Sequence, residues 1–502
     1  MRRRALSVLA VSSIAALLLS GCAGSSDDGG GGEGGEDARI RVARSFAPTA
    51  GLSPYSDDAT TLSKFGAAET LVQLNDDLEV EPLLATEFEQ VDELTWTFTL
   101  ASGVTFHDGT ALDAAAVKNA LDHASSATSP PRALKGITLT VEATADDKIT
   151  VKTDIPDPLL TNRLTSPQLS IFSAAAYKDD GTVDPVGTGT GPFVLTEVAG
   201  TTTATFDRYE DYWGDKAKLA GIDVSFVPDG QARASAIRAD EADVADNIPV
   251  SQASLLDPDQ VFQVPTVRSM YIALNTKSGP FADPAVRAAA RAAVDPSKIV
   301  ETVFEDQSEV ADGLLSGAVP WAADNRGDTE STTTPAKVSG TAITLATYTD
   351  RPELPEAAVQ LQKQLEDAGF TVTQDVREYA SMETEILSGA FDAVIMARNT
   401  MLDTGDPLSS FFQSDFTCTG GYNVSQFCDP AVDALVTSAL ALPTGPDREK
   451  ATMDIEAAVL QADAAIPLVY MSTTLADNGA FTDVVRDPRE QRLITALTAP
   501  AE

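Results

Sequence analysis

Residues 342–376 constrain the fold more than any other stretch. Within them "LPEAAVQLQKQLEDAGF" reads as a helix that Pro355 opens and Gly369 closes, with Ala358, Leu361, Leu365 and Ala368 as its apolar stripe. "FTVTQDV" follows as a strand, and strand, helix and strand in this order make a βαβ-like unit, the mark of an α/β lobe. The same mixture recurs along the chain, with no internal repeat. Leu94, Trp96, Phe98 and Leu100 alternate with threonines as a half-buried strand does, and Ile222, Val224 and Phe226 repeat the pattern. In "FADPAVRAAARAAVD", Asp283 can cap and Pro284 open a helix of good helix formers.

The chain begins with material that does not belong to such a lobe. Arg2, Arg3 and Arg4 form a positive start, and the apolar run from Leu6 to Leu19 is too short and wrongly flanked to span a membrane; residues 1–21 read as an export signal. Leu19-Ser20-Gly21-Cys22 resembles the bacterial lipobox, in which the cysteine receives a lipid and becomes the first residue of the mature protein; an ordinary cleaved signal with an incidental cysteine is the alternative. Residues 23–37 contain only Ala, Gly, Ser, Asp and Glu, which cannot bury apolar surface, so 22–37 is expected to be a lipid-anchored flexible tether. About 465 residues remain, too many for one core, which predicts two or three lobes.

Charge and cysteines narrow the function. There are 35 Lys and Arg against 75 Asp and Glu, a net charge of −40, and loss of the export signal would remove three arginines and no acid. Nucleic acid is excluded as a partner, because phosphate binding needs clustered cations, and adsorption to anionic lipid is disfavoured, leaving an acyl chain as the only membrane contact. Besides Cys22 only Cys418 and Cys428 occur, in "CTGGYNVSQFC"; in an oxidising compartment they read as a disulfide, with two free buried thiols as the alternative.

Catalytic and cofactor motifs are scarce. The two histidines, His107 and His123, form no HExxH and no Cys/His cluster, which argues against a zinc or redox enzyme. There is no G-x-S-x-G and no Walker sequence. "GTGTGP" at 187–192 puts Pro192 where a phosphate-cradling helix should begin and reads as a tight turn. Acid pairs are too numerous for any one to stand out. No cofactor is called for.

Five landmarks then fall in one order: "AAETLVQLNDDLEVEPLLATEFEQVDELTWTFTLASGVTFHDGTALDAAAVKNAL" at 67–121, "VGTGTGPFVL" at 186–195, "YEDYWGDKAKLAGIDVSFVPD" at 209–229, "YIALNTKSGPFADPAVRAAARAAVD" at 271–295 and "DPAVDALV" at 429–436. Together they resemble the family 5 extracytoplasmic solute-binding proteins of peptide and nickel ABC transporters, over nearly the whole mature chain. The resemblance implies no catalytic activity, a bilobal periplasmic-binding-protein type II fold with an inserted subdomain, and a monomer in the cell envelope, at the outer face of the cytoplasmic membrane or facing the periplasm, that hands a captured solute to a membrane permease. It implies one lobe from 38–60, 185–268 and 475–502, an inserted subdomain at 61–184, a second lobe at 269–474, and hinge crossings near 265–272 and 472–476. Ligand would sit between the lobes and bias their closure.

Three residues follow from the resemblance. "TYTDRPELPEAAVQLQKQLEDAGF" looks like the segment in which dipeptide-binding members set an arginine before proline against the ligand carboxylate, which puts Arg351 there; a planar guanidinium that cannot deprotonate suits that role. "MLDTGDPLSSFFQSDFTC" looks like the stretch whose aspartate holds the peptide α-ammonium, here Asp403, while Asp406 before Pro407 reads as a turn former. Arg398, after "AVIMA", matches the strand-end arginine of metal-chelate binders. A solvated helix start paired with Glu353 is the alternative for Arg351, a turn cap for Asp403, and a surface position for Arg398. "VIMARNTM" lacks the aromatic-rich run of dipeptide binders, which keeps a longer peptide and a metal chelate beside the dipeptide; with two histidines, nickel would need a small-molecule chelator whose carboxylates the arginines grip. His107 reads as structural. A hydrolase is the rival class, and a sensory rather than transport role is not separable by residues.

Overall fold

The computed structural model describes residues 37–402 and 404–501, so Cys22 and the export signal lie outside the described residues, as does Asp403. An eleven-stranded mixed sheet runs through the molecule, and two of its strands do most to organise it. Val261–Leu274 and Ala465–Asp477 are 14 and 13 residues long. At about 3.3 Å per residue each reaches roughly 45 Å, enough to serve both lobes. They pair antiparallel with each other, Val261–Pro265 against Ala476–Ser472 and Ser269–Ala273 against Tyr470–Ala465, and the register breaks between Pro265 and Ser269. Pro265 has no N–H to give to a ladder, so an interruption is where it can be accommodated.

One end of the sheet continues from Val261–Leu274 to the antiparallel strand Ala393–Asn399, then to Thr341–Tyr348 and Phe370–Arg377. The last two are parallel in strict register, Thr341 opposite Phe370 through Tyr348 opposite Arg377, with the helix Glu353–Asp367 as their crossover. Leu354, Ala357, Ala358, Leu361 and Leu365 are its buried face. The helix starts two residues before Pro355, which stands in the first turn where its missing N–H has no partner to lose. Gly369 follows the helix at φ +108°. Asp283 caps the helix Pro284–Ala293, its Oδ1 accepting from the Ala285 N–H at 2.9 Å. The other end of the sheet runs through Val244–Ala245, Arg39–Arg44, Gly221–Phe226, Thr203–Arg208 and Phe193–Ala199.

Apolar burial separates into distinct cores. The largest is drawn from residues between Val267 and Met471, a second from residues between Leu71 and Ile171, and a third combines Ile40 to Ala68, Phe172 to Val264 and Leu475 to Ile494. The second belongs to an inserted unit, a four-stranded antiparallel sheet of Ala85–Asp92, Thr95–Leu100, Lys148–Thr153 and Leu139–Ala145 with the helix Ala114–Ser126. Phe98 and Leu100 point into it and Trp96 is half-buried, while Leu94 precedes the strand and is exposed and Thr95 is buried, so the expected alternation holds over the end of the strand and not at its start.

The "GTGTGP" segment packs backbone on backbone. A Cβ at Gly189 would stand 2.0 Å from the Ala67 carbonyl oxygen, and one at Gly191 2.2 Å from that of Gly66. His107 secures the contact: its N–H donates to the Gly189 carbonyl and its Nε2 lies 2.8 Å from the Gly191 carbonyl oxygen. Cys418 and Cys428 are joined as a disulfide. No helix among the described residues is long and apolar enough to cross a membrane.

Candidate functional site

Between the lobes, beside the register break, lies a cavity of about 330 Å³, within the ordinary range for small-molecule sites. Three groups of residues wall it. Ser45, Phe46 and Asn247 come from the lobe that holds the chain's first strand, Gln263, Thr266 and Arg268 from the first crossing strand, and Asp350, Arg351 and Glu353 from the turn before the helix Glu353–Asp367. Phe46 is 53% exposed, an apolar ring presented to the opening.

Arg351 lines this cavity. It sits at the C-terminal end of a strand of the α/β lobe, where open sheets of this kind place ligand contacts. Its ion pair with Glu353 is loose, 3.7 Å from Nη1 to Oε1. Asp350 beside it accepts the Tyr379 N–H at 2.8 Å. Asp403 lies outside the described residues; Met401 and Thr404 are buried. Asp406 is held by Arg448 through two bonds of 2.9 Å and accepts the Ser409 N–H at 2.8 Å, a buried structural acid rather than a cleft group.

Arg398 does not line the cavity. Its Nε and Nη2 donate to the two oxygens of Asp415 at 2.9 and 3.0 Å, and its guanidinium lies 4.3 Å from the centroid of the Tyr422 ring. Burial works against that charge, but Asp415 outweighs it and raises the guanidinium above its ordinary value. Tyr422 belongs to the disulfide-closed loop and shares a hydrogen bond with the Tyr379 hydroxyl, so Arg398, the loop and Tyr379 form one packed group.

Two charged residues at the cavity carry no motif. Arg268, on the crossing strand, donates at 3.5 Å to Glu490 Oε2 and at 3.5 Å to the Ala397 carbonyl. Burial and the neighbouring Arg351 push its guanidinium down to about 10, against the pull of Glu490. Glu490 has a positive φ of 62°, in a turn built by Asp487, whose carboxylate accepts the N–H groups of Arg489, Gln491 and Arg492 at 3.0–3.1 Å. Arg268, Lys64 and Arg351 hold Glu490 below the usual carboxylate range even though burial opposes this. Behind it, Arg44 and Lys64 share Asp246 at 3.6 and 4.0 Å. The arrangement suits holding an ion-bearing solute between charges of both signs. His107 and His123 are spent elsewhere, one on Gly191 and one stacked on Tyr177, and no three His, Cys, Asp or Glu among the described residues gather as a metal site.

Comparison with known proteins bears on what such a cleft is for. Residues 79–423 match the model of the bacterial extracellular solute-binding proteins, family 5 Middle. The nickel-binding protein NikA of Staphylococcus aureus is 24% identical over 441 residues, 84% of each chain. The glutathione-binding protein GsiB of Pectobacterium atrosepticum is 27% identical over 467 residues, 87% of this chain and 88% of that one. The crystal structure of NikA from Brucella suis in complex with Fe(III)-EDTA superposes with a TM-score of 0.82 at 23% identity, over 93% of this chain and 100% of the other. At that identity the likeness speaks for the fold, the bilobal type II architecture of periplasmic binding proteins. With a family match across well over half its length and a cleft between two lobes, this chain belongs to the family 5 bacterial extracellular solute-binding proteins.

Proposed function

We propose that the chain is a lipid-anchored receptor of an ABC importer, without catalytic activity of its own, that captures a short peptide or similar zwitterionic solute between its lobes and passes it to a membrane permease. The observation that carries this reading is the mixed charge of the cavity: Arg268 and Arg351 can meet a carboxylate, while Asp350 and Glu353 on the same wall, and Asp403 by its resemblance to the ammonium-holding aspartate, suit an ammonium. The relative named for glutathione supports a peptide-like solute, since glutathione is a tripeptide with free carboxylates and a free ammonium.

The anchor would be a lipid on Cys22, holding a monomer at the outer face of the cytoplasmic membrane with no other membrane contact and no nucleic-acid partner, in keeping with a net charge of −40. A nickel- or metal-chelate ligand is the second reading, supported by the relative named NikA. It is the weaker one because Arg398, the arginine it would draw on, is already paired with Asp415.

Intact and native mass spectrometry of protein extracted from membranes tests both halves. The expected result is a mature chain beginning at a lipid-modified Cys22 with a peptide-sized solute bound. An unmodified Cys22 removes the anchor, and a bound metal chelate in place of a peptide removes the peptide reading.

A further inference from the structure

Arg398 and Arg448 are each held closely by a carboxylate. Arg398 meets Asp415 at 2.9 and 3.0 Å, and Arg448 meets Asp406 at 2.9 Å twice, the distances of charge-assisted bidentate pairs. Arg268 and Arg351 are different. Among the described residues, Arg268 has side-chain contacts of 3.5 Å and Arg351 an ion pair of 3.7 Å. Both side chains are about four-fifths buried, at 19% and 21% exposure, and both line the same cavity. Each has a fork of donors pre-shaped for a carboxylate. On the same strand as Arg268, the Gln263 amide nitrogen is buried with no partner among the described residues, and Gln263 also lines the cavity.

Both arginines are carried by the same half of the sheet. Arg268 is in register with Asn399, and Arg351 follows the strand that pairs with Ala393–Asn399. Like charges fixed side by side in a partly dry cavity disfavour each other unless an anion joins them. Glu490 answers this in part, reaching Arg268 from the C-terminal segment, but at a distance that leaves the fork largely unused.

We propose that Arg268 is a second ligand-binding arginine, closing on the same solute carboxylate as Arg351, and that Glu490 occupies its fork when no carboxylate is present. This rests on the reading above that the cleft receives a solute with a free carboxylate. Arg268 then sets specificity for the ionised terminus, and Glu490 sets how strongly a solute must compete for it.

Calorimetry of the mature protein with dialanine, trialanine and their C-terminal amides tests the proposal, with thermal melts to confirm that each variant is folded. Arg268→Gln is expected to weaken binding of the free acids by about 10-fold or more while moving the amides less than about 3-fold, with partial recovery in Arg268→Lys. Combined with Arg351→Gln, the two losses should add to less than their sum, because both act on one carboxylate. Glu490→Gln should tighten the free acids and leave the amides unchanged, a gain that a merely structural acid would not produce. An equal loss for acids and amides in Arg268→Gln, or weaker acid binding in Glu490→Gln, overturns the proposal and leaves the peptide reading standing. Failure of the wild type to bind any of the four peptides overturns both.

Discussion

His107 shows how much a single buried group can decide. Its ring packs edge-on against Tyr209, Nε2 is 2.8 Å from the Gly191 carbonyl oxygen, and Nδ1 is buried with no partner among the described residues. Burial pushes it down to about 4, from 6.5, with the Gly191 carbonyl and Asp108 pulling the other way. Between those two values the unfolded chain takes up a proton that the folded chain refuses, so the fold loses stability as the pH falls from about 6.5 to about 4. The loss from this one group is roughly 3 kcal/mol at full extent. Urea unfolding at pH 7 and pH 4.5 should show wild type losing more stability than His107→Gln across that interval; equal losses would mean that His107 does not titrate abnormally. The structural role of His107 was legible from "FHDG" following a strand, and so was the turn-forming role of Asp406. The partners of Arg268 were not. Glu490 lies 222 residues away, and neither periodicity nor spacing records a contact made by two separate chain segments meeting at a crossing strand.

Elements built from local signals came out where the residues indicate. The Asp283 cap, the parallel pair around the helix Glu353–Asp367 and the strand Thr95–Leu100 each follow from side-chain period and end chemistry. Helix ends are less exact, since Glu353 and Leu354 precede Pro355 within the first turn. The "GTGTGP" element was legible as a turn, while its purpose, close approach to Gly66 and Ala67, depends on a segment more than a hundred residues earlier. That purpose has a measurable consequence. Gly191→Ala forces a methyl against the Gly66 carbonyl, backbone on which no side chain can swing aside, and should destabilise the protein by about 1–3 kcal/mol or more. A control at Gly181, where a Cβ would meet nothing within 4 Å, should suffer only the smaller strain of its positive φ. Equal unfolding midpoints for the two variants would contradict the close-packing account.

At the scale of the whole molecule, two crossing strands, three main apolar cores and one cavity at the register break describe a body made to hold something between its parts. In the function proposed above, Arg351 receives a solute carboxylate there. Removing one partner of a desolvated charge pair costs roughly 2–5 kcal/mol, about 30-fold or more in affinity, whereas an exposed charge at the rim costs far less. The most direct measurement is therefore a calorimetric titration of wild type and Arg351→Ala with a short peptide carrying free termini, alongside the same peptide amidated at its C-terminus. The expected result is tight binding of the free peptide by wild type, a loss of about 30-fold or more in Arg351→Ala, and little difference between the two proteins for the amide. Binding of the free peptide that is unchanged in Arg351→Ala, or no binding of short peptides by wild type, would contradict it.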